Sequence, residues 1–180
     1  HKFRYIGLAK NAAGLARMNR FLTDYNFSGN PLPEKAPSFE SVYFIYTLEN
    51  APAELGENEF IGIQPDQLGR LFMPELKKKI SKMVILQPVV FRTKREYNLH
   101  RILRAVDLNE LLSKLGAEDC CRKSDMMIPE TELIGLYKDY PEIIQNTRCI
   151  IEHCNFKYDF ESPKNKKHYT KNKAGDIALL

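Results

Sequence analysis

The chain has 180 residues, 43% apolar and 28% charged, the size and balance of one folded domain. A domain of that length buries roughly 70% of the surface its unfolded chain exposes. No apolar run approaches the ~18 residues of a membrane-spanning helix. The opening "HKFRYIGLAKN" has neither the apolar run of a secretory signal nor an initiator Met, so a cytoplasmic piece of a longer protein is expected, without a membrane partner. The net charge of +4 sits at one end: residues 162–180 hold five Lys against one Asp, while the preceding 161 residues hold 22 basic and 22 acidic side chains.

"FRYIGLAKN" reads as a short strand, and Asn11 stands where a cap for the following helix belongs. That helix, "AAGLARMNRFLTDYN", places Leu15, Met18, Phe21 and Leu22 at helical spacing. "FSGNPLPEKAP" is a loop by its Pro and Gly content. "SVYFIYTL" is an unbroken β-branched and aromatic run, the pattern of a strand buried on both faces, and "EFIGIQ" is a second short strand. Pro65 and Asp66 open a helix carrying Leu68, Leu71 and Phe72, and a further helical piece starts at Pro74 and runs to Ser81. "MVILQPVVF" reads as a central strand with Pro88 at a bulge or edge. The next helix is expected from Lys94 to Leu115, with Leu99, Ile102, Leu103, Val106, Leu111, Leu112 and Leu115 as one continuous apolar side. Asp107 and Asn109 are residues that can cap or kink it. "LGAEDCCRKSDMMIP" is an irregular connection and "PETELIGLYKDY" a short helix. Asp139 is the expected cap of a last helix, "PEIIQNTRCIIEHCN", with Pro141 in its first turn and Ile143, Ile144, Thr147, Ile150, Ile151 and Cys154 facing inward. "FKYDF" is extended, and "SPKNKKHYTKNKAG" has the composition of a linker or exposed arm. The order of elements is α/β, with a mainly parallel sheet or part of a barrel.

The loop after a parallel strand is where α/β proteins usually carry chemistry. Here it holds Phe91, Arg92, Thr93, Lys94 and Arg95, with no carboxylate, imidazole or thiol. The cations Arg92, Lys94 and Arg95 lie between a strand end and a helix N-terminus, a place that suits a phosphate and equally a plain surface turn. Lys164, Lys166 and Lys167 in the arm can reach nucleic-acid phosphates or simply keep a linker solvated. There is no phosphate-binding Gly-rich loop, no G-x-S-x-G, no H-E-x-x-H and no Asp-x-Asp pair for metal ions. Glu57 and Glu59 in "ENE" read as a solvated turn. The four cysteines, Cys120, Cys121, Cys149 and Cys154, have no disulfide or zinc spacing, so free thiols are expected, although Cys149 and His153 stand i and i+4 on a helix and can share a ligand. His100, beside Leu99 and Leu103, reads as a packed or hydrogen-bonded residue. A metal-dependent phosphoesterase would need His100, Asp107, His153 and Cys154 to converge from separate helices.

Three segments carry a resemblance. "YIGLAKNAAGLARMNRFLTDYN", "YNLHRILRAVDLNELLSKL" and "LIGLYKDYPEIIQNTRCIIEHCNFKYDF" resemble, in this order, stretches of the polymerase-and-histidinol-phosphatase (PHP) domain of bacterial DNA polymerase III alpha subunits. The third is the most specific, with Tyr140, Pro141, Asn146, Thr147 and Cys154 at matching places. The resemblance covers most of residues 4 to 160. It implies a partial PHP-type distorted βα-barrel, mainly parallel strands with covering helices. Residues 1–161 would be an incomplete PHP-domain segment and 162–180 a basic linker toward the polymerase core. It further implies a parent that copies DNA with Mg at carboxylates beyond Leu180, and a PHP domain that in some members binds metal and supports an exonuclease. The family's His-x-His motif would precede His1. Its Asn-Asp-Val-His motif would fall at Arg92–Arg95, where a basic run repels a divalent cation. The expectation is a scaffold with a degenerate metal site, no cofactor of its own, the rest of the alpha subunit as partner, DNA contacted through the parent, and open sheet edges that favour a homodimer of the fragment. A metal-dependent PHP-type phosphoesterase or exonuclease and a basic nucleic-acid-binding module are the alternatives.

Overall fold

A computed structural model describes residues 4–157, 161–162, 168–170 and 172–179. Its centre is one four-stranded sheet in the order β1 (Tyr5–Ala9), β2 (Val42–Thr47), β3 (Glu59–Ile63), β4 (Met83–Ile85). β1 pairs antiparallel with β2, and the other two pairings are parallel. Six α-helices are formed by the described residues: α1 (Ala12–Ser28), α2 (Pro74–Lys77), α3 (Lys94–Asp107), α4 (Glu130–Leu136), α5 (Pro141–His153) and α6 (Lys173–Ala178). Short 3-10 turns cover Pro65–Phe72, Ile80–Lys82 and Leu112–Lys114.

The expected partial barrel is not what these strands build. They form an open mixed sheet that does not close on itself. The reason is local at each end. β1 enters antiparallel, which a βα repeat does not do. The run expected as a central strand is an edge instead: β4 stops at Ile85, Leu86 adds one more bond to Ile63 O at 2.9 Å, and Pro88 lies in the break that follows. Val90 and Phe91 then bond separately to the 125–127 segment.

β2 meets its expectation. Val42, Tyr43, Phe44, Ile45 and Tyr46 are all buried, because both faces of the sheet are covered. On one face Val42, Phe44 and Tyr46 pack with Tyr5, Met18 and Phe39 under α1. On the other, Tyr43 and Ile45 pack with Phe60, Val84 and Ile150. α1 starts as predicted, with Asn11 Oδ1 accepting from Gly14 N at 2.9 Å. Gly14 is required there: a Cβ would stand 2.1 Å from Ser41 O, so only glycine lets α1 cross the entrance to β2. The largest cluster joins Ile61, Ile63, Leu71, Met83, Tyr137 and Ile143.

α5 runs along the open edge of β4. Thr147 Oγ1 accepts from Ile85 N at 2.9 Å and donates to Ile143 O at 2.7 Å. Asn146 Nδ2 donates to Ser81 O and Met83 O, both at 3.0 Å. These two side chains take up edge groups that a fifth strand would otherwise bond. The helix is entered through Tyr140, not capped by Asp139; Tyr140 makes no side-chain cap bond, and Pro141 in the first turn needs none for its missing N–H. Ile151, expected inward, is exposed, because α5 rests on a narrow edge and not on a broad face.

Two further expectations change. The helix from Lys94 ends at Asp107, not Leu115, because Asn109 adopts a left-handed conformation (φ 52°) and breaks the run. The arm at the C-terminus contains α6, whose Asn172 cap accepts from Gly175 N at 2.8 Å. No helix among the described residues is long and apolar enough to cross a membrane.

Candidate functional site

The C-terminal ends of the parallel strands all open on one side of the sheet. Immediately beyond β3 stand Gln64, Asp66 and Gln67, and beyond β4 stands Gln87. Arg122 reaches this place from the irregular 116–129 connection. Its guanidinium donates to Gln64 Oε1 and to Asp125 Oδ1 (3.0 Å) and lies 3.7 Å from Asp66 Oδ2. Asp125 is buried, and its second oxygen accepts from Arg122 N at 3.0 Å. Gln87 Nε2 donates to Ser124 O and Met126 O at 3.0 Å each, which ties the same connection to the end of β4. Tyr137, fully buried, donates its hydroxyl to Ile63 O at 2.6 Å, and burial pushes its phenol well above the usual tyrosine range. On the outer flank Glu49 Oε1 accepts from Gln67 Nε2 and Arg70, both at 3.0 Å.

This network pairs its charges within itself. Arg122 faces two carboxylates and Arg70 one, and each amide is turned to a named protein partner. Such an arrangement locks a loop onto strand ends; it offers no nucleophile with an adjacent base and no set of carboxylates converging on one point. Sequence reasoning missed Gln64, Arg122 and Asp125. The signal was faint: Arg122 and Asp125 are three apart in a stretch without periodicity, and nothing local says that it folds onto β3.

The basic residues Arg92, Lys94 and Arg95 lie in an exposed turn just after Phe91. Thr93 caps α3 by accepting from Glu96 N at 3.3 Å, and Glu96 Oε2 accepts from Arg92 N at 2.7 Å. A carboxylate of the chain therefore already occupies the helix N-terminus that a phosphate would seek. Lys164, Lys166 and Lys167 lie outside the described residues.

The four candidate metal ligands have separate engagements. His100 Nε2 accepts from Cys121 N at 3.1 Å, which assigns the ring proton to Nδ1. Asp107 pairs with Arg104 one turn back. His153 Nδ1 meets the Tyr43 hydroxyl at 2.7 Å. Cys154 packs among Tyr43, Ile45, Val84 and Ile150, where burial raises its thiol despite the lowering effect of Lys10. Cys149, one turn before His153, lies 3.7 Å from His153 Nδ1. Among the described residues no three His, Cys, Asp or Glu side chains are placed to hold one metal ion. The described residues therefore do not assemble the ligand set of a PHP-type metal centre.

Glu59 corrects the reading of "ENE" as a solvated turn. Its carboxylate is buried, accepting from Tyr46 Oη at 2.9 Å and Gly56 N at 2.6 Å, while Tyr46 Oη itself accepts from Ala36 N at 2.8 Å. This relay closes the opposite, N-terminal end of the parallel strands. No protein-family model, curated protein or solved structure matches the chain.

Proposed function

We propose that the chain is a structural segment of a bacterial replicative or error-prone DNA polymerase alpha subunit, from the PHP region, without catalysis of its own. The observation that carries this reading is the use made of α5. Its most specific resemblance to that family lies at Tyr140, Pro141, Asn146, Thr147 and Cys154. Asn146 and Thr147 fasten the helix to the edge of β4, and Cys154 packs beneath β2 and β4. Those positions serve architecture, not chemistry. Where the resemblance would place metal ligands, the chain has Arg92–Arg95 in an exposed turn. Magnesium and DNA synthesis would belong to the rest of such a parent, which is also the partner this segment would support.

The test begins with elemental analysis and phosphoesterase and exonuclease assays of the purified chain after dialysis against dilute zinc and manganese. Substoichiometric metal and no hydrolysis are expected. One equivalent of tightly held metal with hydrolysis would overturn the scaffold reading in favour of a phosphoesterase. In the parent polymerase, Thr147→Val should lower the thermal midpoint but leave the polymerisation rate per folded molecule unchanged; a lost rate without lost stability would count against a purely structural role. Steeply salt-dependent DNA binding by the isolated chain would instead favour a nucleic-acid-binding module.

A further inference from the structure

A slot of about 260 Å³ opens beside the C-terminal end of β4. Leu133 and Ile134 of α4 and Ile144 and Ile151 of α5 give it an apolar lining, and Ile85 and Gln87 bring the strand end to it. Main-chain polarity enters through that strand end. Leu86 N bonds Ile63 O on β3, so Ile85, one residue back, turns its N–H and C=O to the outer edge. Thr147 takes that N–H. The Ile85 C=O and the Gln87 N–H bond no other described residue. Gln87 precedes Pro88, which pushes it to an extended conformation and keeps its N–H on the side of the Ile85 C=O. Two side chains of opposite sign complete the lining, Glu130 and Arg148. Neither forms an ion pair or a side-chain hydrogen bond among the described residues.

We propose that this slot binds a free apolar α-amino acid of the size of leucine or phenylalanine. Across a parallel ladder, one residue's own amino and carbonyl groups bridge a C=O and the N–H two positions further on. The Ile85 C=O and the Gln87 N–H are such a pair, left over where the side chains of α5 stop covering the edge. An amino acid completes the rung with both its charges. Its ammonium donates to Ile85 O on the side of Glu130, and its carboxylate accepts from Gln87 N on the side of Arg148. The side chain enters the apolar lining. The volume agrees: a dry cavity of about 150 Å³ takes benzene, and this slot has room for a branched or aromatic side chain with its polar end. The two opposite charges separate the amino acid from other occupants. A carboxylate alone faces Glu130 without a cation, an amine alone faces Arg148 without an anion, and an internal peptide residue carries neither charge. The place agrees too, since open α/β sheets take ligands outside the carboxyl ends of their strands.

The test is a titration of the full 180-residue chain with L-leucine, read by calorimetry and by the NMR signal of the Gln87 amide. For a ligand of about nine non-hydrogen atoms, a dissociation constant of about 0.1–1 mM is expected, together with a shifted Gln87 signal. Leucinamide lacks the carboxylate and 4-methylpentanoate lacks the ammonium; each should bind at least about 10-fold more weakly than leucine. Arg148→Gln should weaken leucine about 10-fold without weakening leucinamide, and Glu130→Gln should weaken leucine by about the same factor without weakening 4-methylpentanoate. Both side chains are exposed, so neither substitution disturbs the core. No shift at Gln87 up to about 20 mM leucine, well above the expected range, would overturn the proposal. So would equal binding of leucine, leucinamide and 4-methylpentanoate, which would leave only apolar contact in the slot. Tighter binding of N-acetyl-leucinamide than of leucine would give the edge to an added peptide strand, with the same consequence. None of these outcomes bears on the polymerase reading, whose tests are metal content, hydrolysis and Thr147→Val.

Discussion

Thr147 uses its hydroxyl as both donor and acceptor. It satisfies Ile85 N on an edge strand and returns its own proton to Ile143 O. Thr147→Val keeps the shape and removes both bonds, leaving a donor unpaired near the core at a cost of about 1–3 kcal/mol. Urea denaturation should show that loss, while Thr147→Ser should recover most of it; equal stability of all three chains would mean that water serves the edge as well. Tyr46 and Tyr137 make a second test at this scale. Burial raises both phenols well above the usual range; at Tyr46 the bond from Ala36 N lowers the value in part and the Glu59 carboxylate raises it. A phenol that keeps its proton in the fold but loses it in the unfolded chain makes stability fall as pH rises above about 10. Tyrosinate absorbance of the folded chain, which has nine tyrosines, should therefore show a delayed fraction that appears only as the protein unfolds. Complete titration near pH 10 in one step, with structure intact, would contradict the buried placement.

Elements show where periodicity succeeds and where it misleads. α1 and β2 were legible because their signals are local: an Asn cap before an apolar 3.6 pattern, and a β-branched and aromatic run. α3 had an equally clear apolar stripe, yet the stripe faces outward, since periodicity identifies a face without saying what covers it. α6 was not anticipated in a lysine-rich arm. Its stability comes from short-range bonds: Asp176 accepts from Thr170 N at 2.6 Å, Thr170 Oγ1 at 2.7 Å and Tyr169 N at 3.2 Å, and it pairs with His168. The Thr170 hydroxyl, first among these, holds the Asp176 carboxyl below its ordinary value of 3.8. A depressed carboxyl supports the fold above the unfolded value and loses that support as pH falls through the lower folded one. The protection factor of the Thr170 amide should thus fall below pH about 4, and Asp176→Asn should remove that pH dependence. A protection factor at Thr170 that is the same at pH 3 and pH 6 would show that the carboxylate does not hold this turn.

At the scale of the molecule, the open sheet replaces the expected barrel because one antiparallel strand and one covered edge stop the βα repeat. The polar networks at the two ends of the parallel strands follow the same logic. Glu59, Tyr46 and Ala36 close one end, and Gln64, Arg122, Asp125 and Gln87 close the other. Both ends bind the chain to itself through hydrogen bonds between distant segments. The candidate residues spread over the sequence do not meet, because α3 and α5 pack on different segments and carry their imidazoles apart.

From its sequence alone this chain disclosed the α/β class, the burial of β2, the cap of α1 and a helix from Pro141. Each depends on neighbours within a few residues, so composition and spacing suffice. Tertiary structure decided the antiparallel entry of β1, the edge position of β4, the burial of Glu59, the reach of Arg122 and the outward turn of α3. Those depend on partners tens of residues away, such as Thr147 for Ile85 and Arg122 for Gln64. A hydrogen bond or a covered face of that kind exists only once distant segments have been brought together, and no local pattern encodes which segment arrives.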